Sequence, residues 1–401
     1  MSARLRAIGA ALLLTASLAA CDAAGSAGGS ADADGSSSGS TEATEQAAPV
    51  KPVKITATAS DLRSVNIAQP LRIRAAEGTL EGVDVTAKDG TPLQGDVKGE
   101  AWVLSSRLEP GTDYVARARA TRSDGESVTK VLRFHTEDLT LAEQAYPSVA
   151  PLAGETVGVG MPVVVKFDLP VTDKAAFERH MTVTTTPAQA GSWHWFSDTQ
   201  VRYRPKTYWQ AGTDVSVDLD LNSIPAGNGI YGQESRRVDF HIGDANVYKV
   251  NAQTHQMQVF SNGTLLRTIP ITTGKAGFTT RSGTKVISEK FAEKRMNSET
   301  VGISSSDPEA YDIDDVQWAM RLTDTGEFIH AAPWSVGSQG YANVSHGCTG
   351  MSTENAAWLY AMTKRGDVVE YTGTDRYMTL DNGYGDWNED FAAYKAGSAL
   401  G

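Results

Sequence analysis

Apolar and polar residues alternate in short runs through the first half of the chain. Val53 to Thr58, Trp102-Val103-Leu104, Tyr114 to Ala118 and Val128 to Phe134 are such runs, and the turn pairs Asp89-Gly90 and Asp124-Gly125 separate them. A two-residue period sends successive side chains to opposite faces of a strand. No stretch here sustains a helical period, so residues 51–138 predict a β-sandwich. Residues 145–243 repeat the theme. Gly111-Thr112-Asp113-Tyr114 returns as Gly212-Thr213-Asp214-Val215, and Phe134-His135 returns as Phe240-His241. The matching order predicts two tandem immunoglobulin-like domains. It makes His135 and His241 strand-end residues, and it makes Trp193, His194 and Trp195 strand packing rather than a ligand platform.

Residues 244–372 read differently. Val247 to Val250 and Gln256 to Phe260 flank a hairpin turn, and Asn262-Gly263 makes the next turn before Leu265 to Ile271. Arg281 to Ala310 lacks strand alternation, which predicts a long lid or binding loop. A strand from Val316 to Leu322, the turn Asp324-Thr325-Gly326 and a strand from Glu327 to His330 follow. Ser352 to Lys364 predicts a helix capped by Ser352, with Ala356, Leu359, Tyr360 and Thr363 on one face. Val368 to Tyr371 closes the domain as a strand. Residues 373–401 are polar and aromatic, and Trp387 with Phe391 to Tyr394 predicts a short helix capping the body. The fold class is mostly β.

The N-terminus changes the picture. Arg4 and Arg6 precede an apolar run from Ile8 to Leu18, which is too short to span a membrane and reads as an export signal over residues 1–20. Leu18-Ala19-Ala20-Cys21 has the form of a bacterial lipobox, so Cys21 is the expected acylated residue. At roughly 0.8 kcal/mol per buried methylene, two acyl chains anchor firmly. Residues 21–50 are mostly small and polar and predict a disordered tether; a coil of about 27 residues spans roughly 30 Å. The expected place is outside the cytoplasm, lipid-anchored to the outer face of the cytoplasmic membrane. A net charge of -12 and a pI near 5.1 argue against nucleic acid as a partner.

The chain has two cysteines. With Cys21 assigned to the anchor, Cys348 is a lone thiol in Ser345-His346-Gly347-Cys348, and His330 ends the strand upstream. A thiol of pKa ~8.5 is only a few per cent ionised at neutral pH, so it needs a base or an imidazolium partner to act as a nucleophile. His346 is two residues away, and His330 can lie on the adjacent strand; the residues alone leave them near parity. Gly347 permits close backbone approach, so amides around Gly347-Cys348 can form an oxyanion hole. A rival arrangement is a zinc site from His330, His346 and Cys348, but no Asp or Glu motif supports it, and no metal or cofactor is expected.

His330-Ala331-Ala332-Pro333-Trp334 followed by Ser345-His346-Gly347-Cys348 resembles the catalytic motifs of the bacterial L,D-transpeptidases. The resemblance covers the whole chain, because actinobacterial members are exported and carry immunoglobulin-like domains, a catalytic β-fold and a C-terminal extension. It implies joining of two peptidoglycan stems between diamino acids, with release of the terminal D-alanine of a tetrapeptide donor and inhibition by carbapenem-type β-lactams. It assigns Cys348 as nucleophile, His330 as general base, and His346 to a structural or donor role. Ala331 stands where the family often has Ser or Gly, and Gly350 where some relatives have Asn or Arg. Trp334, Tyr311, Gly350 and the backbone of Thr325-Gly326 are the expected substrate contacts, and Trp318 flanks the expected lid. Two other outcomes remain open: an L,D-carboxypeptidase, if water intercepts the acyl-enzyme, and a non-enzymatic wall-binding lipoprotein.

Overall fold

A computed structural model describes residues 50–401. The expected signal segment, Cys21 and nearly all of the tether lie outside the described residues. The first sandwich sets the strands Lys54–Ala57, Arg72–Ala76, Ala101–Leu104 and Gly95–Lys98 against Pro92–Leu93, Gly78–Ala87, Asp113–Arg122 and Ser127–His135. Every second residue of one strand, Tyr114, Ala116, Ala118 and Ala120, is buried against Ile73, Trp102 and Leu104. That is the two-residue period at work.

The second sandwich packs Pro147–Ala150, Val163–Phe167, Gln200–Pro205 and Gly191–Trp195 over Thr156–Val157, Arg236–Ile242, Asp214–Leu219 and Met181–Thr186. Trp193 and Trp195 are buried in its core. The sequence echo has a physical content. Asp113 pairs across the ladder with His135, and Asp214 with His241. In each case His Nδ1 lies 2.8 Å from the carboxylate. The sandwiches are tied together, since Tyr231 of the second joins the core of the first and Arg107 donates to the carbonyls of Asp220 and Asn222.

Two sheets build the C-terminal half. One has the order Thr264–Pro270, Gln256–Ser261, Asn246–Asn251, Val368–Thr372 and Gly283–Val286. The other runs Glu289–Asn297, Asp312–Arg321, Phe328–Ala331 and Thr349–Met351. The helix Thr353–Met362 is capped by Ser352 and buries Ala356 and Leu359. The expected long loop over residues 281–310 is corrected. It contains two strands, and the second of them, Glu289–Asn297, forms a hairpin with Asp312–Arg321. Its alternation is masked because much of both faces meets solvent and its cross-strand pairs are charged, Arg295 with Asp312 and Glu289 with Arg321.

The C-terminal extension is more than a cap. Its helix Phe391–Lys395 packs on the second sandwich, where Arg202 donates to buried Asp386 at 2.9 Å. Asn388 accepts from the Thr284 amide, and Asn382 from the Thr325 amide. The segment therefore straps the second sandwich to the sheets that carry the site.

Candidate active site

The turn holding Cys348 is fixed by its own motif. Ser345 Oγ donates to the Cys348 carbonyl at 2.6 Å and accepts from the Gly347 amide at 3.1 Å. Gly347 has φ +123°, where a side chain is strained. Thr280 Oγ1 donates to the Gly347 carbonyl at 2.8 Å. The chain then enters the sheet, with Thr349 beside Ile329 and Gly350 beside His330 in parallel register. That register sets Cys348 and His330 on one cavity wall.

His330 is buried, and its Nδ1 donates to the Ala331 carbonyl at 2.7 Å. With the proton assigned to Nδ1 by this bond, Nε2 is an acceptor. The departure at Ala331 is therefore harmless, because the orienting group is main chain. Burial lowers the His330 pKa, so the ring is neutral at rest. Trp334 stacks on it with centroids 5.8 Å apart. Burial pushes the Cys348 thiol up to about 11; the Phe328 amide opposes this, Glu327 adds to it, and Lys285 opposes it. The resting pair is thus thiol and neutral imidazole. At rest the thiol points to the Gly326 carbonyl, 3.6 Å away.

The near parity between the two histidines ends here. His346 Nε2 lies 2.8 Å from Glu309 of the hairpin tip, and the same carboxylate accepts from Lys275 at 2.5 Å. Phe278 and Tyr311 flank the His346 ring at 4.7 and 5.0 Å. His346 latches the hairpin to the Cys348 turn, whereas His330 keeps an open nitrogen. Among the described residues no three His, Cys, Asp or Glu side chains converge as metal ligands.

Two cavities of about 250 Å³ each meet at Cys348. The first is walled by His330, Trp334, Ser345, His346 and Gly350, and the second by Gly326, Phe328, Asn297 and Thr300. Cys348, Tyr311 and Met296 line both.

Some expected contacts need correction. Thr325 lines neither cavity. Its amide and hydroxyl are held by Asn382, so its N–H is not free to pair with a peptide. Trp318 packs on Tyr360 at 5.2 Å, away from both cavities. The Gly347 amide is engaged by Ser345, so it is not a free donor for an oxyanion. Gly350 lines the first cavity without room for a side chain, since a Cβ would lie 2.8 Å from Ala332 Cβ. Met296, Ile313, Val316 and Glu309 were not anticipated, because nothing local marks a hairpin residue as facing a turn that lies far away in the sequence.

Comparison with known proteins agrees with this arrangement. The profile of the bacterial Ig domain matches residues 44–225, and that of the L,D-transpeptidase catalytic domain matches residues 245–370. L,D-transpeptidase 2 of Mycobacterium tuberculosis (strain CDC 1551 / Oshkosh) is 34% identical over 350 residues, 86% of this chain and 85% of that protein. L,D-transpeptidase 5 of the same species (strain ATCC 25618 / H37Rv) is 33% identical over 341 residues, 82% of this chain and 73% of that protein. Among solved structures, the L,D-transpeptidase LdtMt1 in complex with imipenem superposes with a TM-score of 0.51 at 37% identity, covering 57% of this chain and 99% of that one. The chain therefore belongs to the L,D-transpeptidase family, the acyltransferases of peptidoglycan, with an Ig-like region placed ahead of the catalytic domain.

Proposed function

We propose that Cys348 is the nucleophile and His330 the general base of a two-step acyl transfer. His330 Nε2 takes the thiol proton as sulfur attacks the carbonyl that precedes the donor's terminal D-alanine. The tetrahedral oxyanion is met by the Cys348 amide. The imidazolium then protonates the departing D-alanine amine, which leaves a thioester on Cys348. A diamino-acid amine of a second stem attacks the thioester, His330 accepts its proton, and the cross-link leaves as the thiol is restored.

One observation carries this reading over simple hydrolysis: the sulfur sits where two separate cavities meet. An acyl donor can occupy one while an acceptor stem approaches through the other. A carboxypeptidase needs only the first. Trp334, Tyr311 and Gly350 wall the donor side in this scheme, and Gly326 faces the other. Carbapenems are the expected covalent inhibitors, a reading supported by the likeness to LdtMt1 in complex with imipenem.

The proposal extends to architecture. Residues 51–138 and 145–243 are two spacer domains, 244–372 the catalytic domain and 373–401 the strap. Cys21 carries the lipid that holds the chain to the outer face of the cytoplasmic membrane. The test is incubation with a tetrapeptide donor, with and without an acceptor amine, followed by intact-mass analysis. Cross-linked product that depends on acceptor and is lost in Cys348→Ser is expected. Free tripeptide formed at the same rate with or without acceptor overturns transfer in favour of hydrolysis.

A further inference from the structure

Beneath the nucleophile turn lies a buried charge cluster that the acyl-transfer steps do not use. Glu327 Oε1 accepts from the Arg281 amide at 3.1 Å and from the Arg281 guanidinium at 2.9 Å. Its other oxygen accepts from Lys285 Nζ at 2.5 Å. The Lys285 side chain is fully buried, and those of Glu327 and Arg281 are 5% and 13% exposed. A fully buried ammonium is rare unless it is paired, and pairing does not by itself repay its desolvation. A stabilising role alone explains it poorly, because apolar residues of similar volume fill such a site as well or better.

The placement is pointed. Glu327 Cγ lies 3.7 Å from where a Gly347 side chain would begin. Lys285 Nζ sits 3.6 Å over the Tyr371 ring, and the Tyr371 hydroxyl is 2.6 Å from Thr349 Oγ1. The cluster thus brackets residues 347 and 349, on either side of the nucleophile. Two cations and one carboxylate leave it one unit positive beside the point where negative charge develops.

We infer that Arg281, Glu327 and Lys285 form an electrostatic positioning element for Cys348, in which Lys285 is the counter-charge of the thiolate and Glu327 restrains its formation. The inference rests on Cys348 being the nucleophile. Burial lowers the Lys285 pKa to about 8, and Glu327 and the Cys348 thiolate pull it upward, so the ammonium is still largely charged at neutral pH. Other groups also face the sulfur: His330 from its strand, His346 from the turn, Tyr311 from the hairpin and Tyr371 from the first sheet. Lys294, Arg295, Arg321 and Asp324 stand across the second cavity. Of these, Lys285 and Glu327 form the oppositely charged pair buried directly behind the turn.

The test reads the thiol itself. Alkylation of Cys348 by iodoacetamide is followed by intact mass from pH 7 to 10 in the full chain, at matched folding by circular dichroism. Lys285→Met is expected to slow alkylation about threefold or more at pH 7, the difference shrinking as the pH rises past about 8, where Lys285 itself loses its proton. Glu327→Gln is expected to speed it by a similar factor, and Lys285→Arg to stay near the parent. A group that merely held the turn in place would move both variants the same way. Should Lys285→Met fail to fold beside an under-paired carboxylate, Lys285→Met/Glu327→Gln is compared with Lys285→Arg/Glu327→Gln, which keeps a cation that does not deprotonate, and it must be the slower. Equal rates in that pair, or single variants displaced in one direction, overturn the inference. Alkylation needs no turnover, so loss of the nucleophile reading would appear separately, as cross-linking that survives Cys348→Ser.

Discussion

His330→Ala separates two ways of making a thiolate. With the thiol pushed up to about 11, the ionised fraction at pH 7 is ~10⁻⁴. If His330 accepts the proton during attack, the parent enzyme does not depend on that fraction. Its acylation rate should then be flat above the pKa of the imidazole, which burial lowers from the ordinary value. Without the base, only pre-formed thiolate reacts. The variant should lose about 10²–10⁴ in rate at pH 7 and recover roughly tenfold per pH unit up to pH 10. The assay is stopped-flow acylation by imipenem with intact-mass confirmation at Cys348. His346 has its Nε2 engaged by Glu309, so His346→Ala should keep the flat profile and lose less. A His330→Ala profile as flat as the parent's, or a loss below tenfold at pH 7, would refute the assignment.

Three further outcomes follow from the packing. Gly350→Ala brings a methyl to 2.8 Å from Ala332 Cβ and 3.1 Å from Thr272 Cγ2; overpacking of about 1–3 kcal/mol should lower the melting temperature, and an unchanged value contradicts it. Asp367 is buried and its folded pKa is raised from 3.8 to about 6, so its unfavourable contribution is absent below pH 3.8, grows between the two values and is complete above pH 6, up to ~3 kcal/mol. Asp367→Asn should therefore gain in melting temperature relative to the parent on going from pH 4 to pH 7, and a constant difference between the two proteins counts against this. Asp386→Ala removes the carboxylate facing buried Arg202 and leaves the guanidinium only neutral acceptors such as the Gly383 carbonyl, at a cost of about 3 kcal/mol or more; limited proteolysis should then cleave the C-terminal strap first, and equal protection would show that the pair contributes little.

The sequence alone determined the class of fold and singled out the candidate reacting groups. Ser345-His346-Gly347-Cys348 is a contiguous turn closed by Ser345 hydrogen bonds to Gly347 and Cys348, so its chemistry is local and legible. The sandwiches were legible for the same reason: strands such as Asp113–Arg122 bury one face and keep the two-residue period. Tertiary structure decided the rest. His330 and His346 are the same residue type near the same thiol. Only the parallel pairing of Phe328–Ala331 with Thr349–Met351, and a carboxylate from a distant hairpin tip, leave one nitrogen open and occupy the other. The hairpin of residues 289–321 hid itself, because a ladder with much of both faces in water carries charged pairs instead of an apolar stripe. Thr325 looked available until Asn382, brought in by the C-terminal strap, took its amide. Lys285 and Glu327 read as ordinary charged residues in sequence, since a buried ion pair forms only when two strands far apart in the chain close over it.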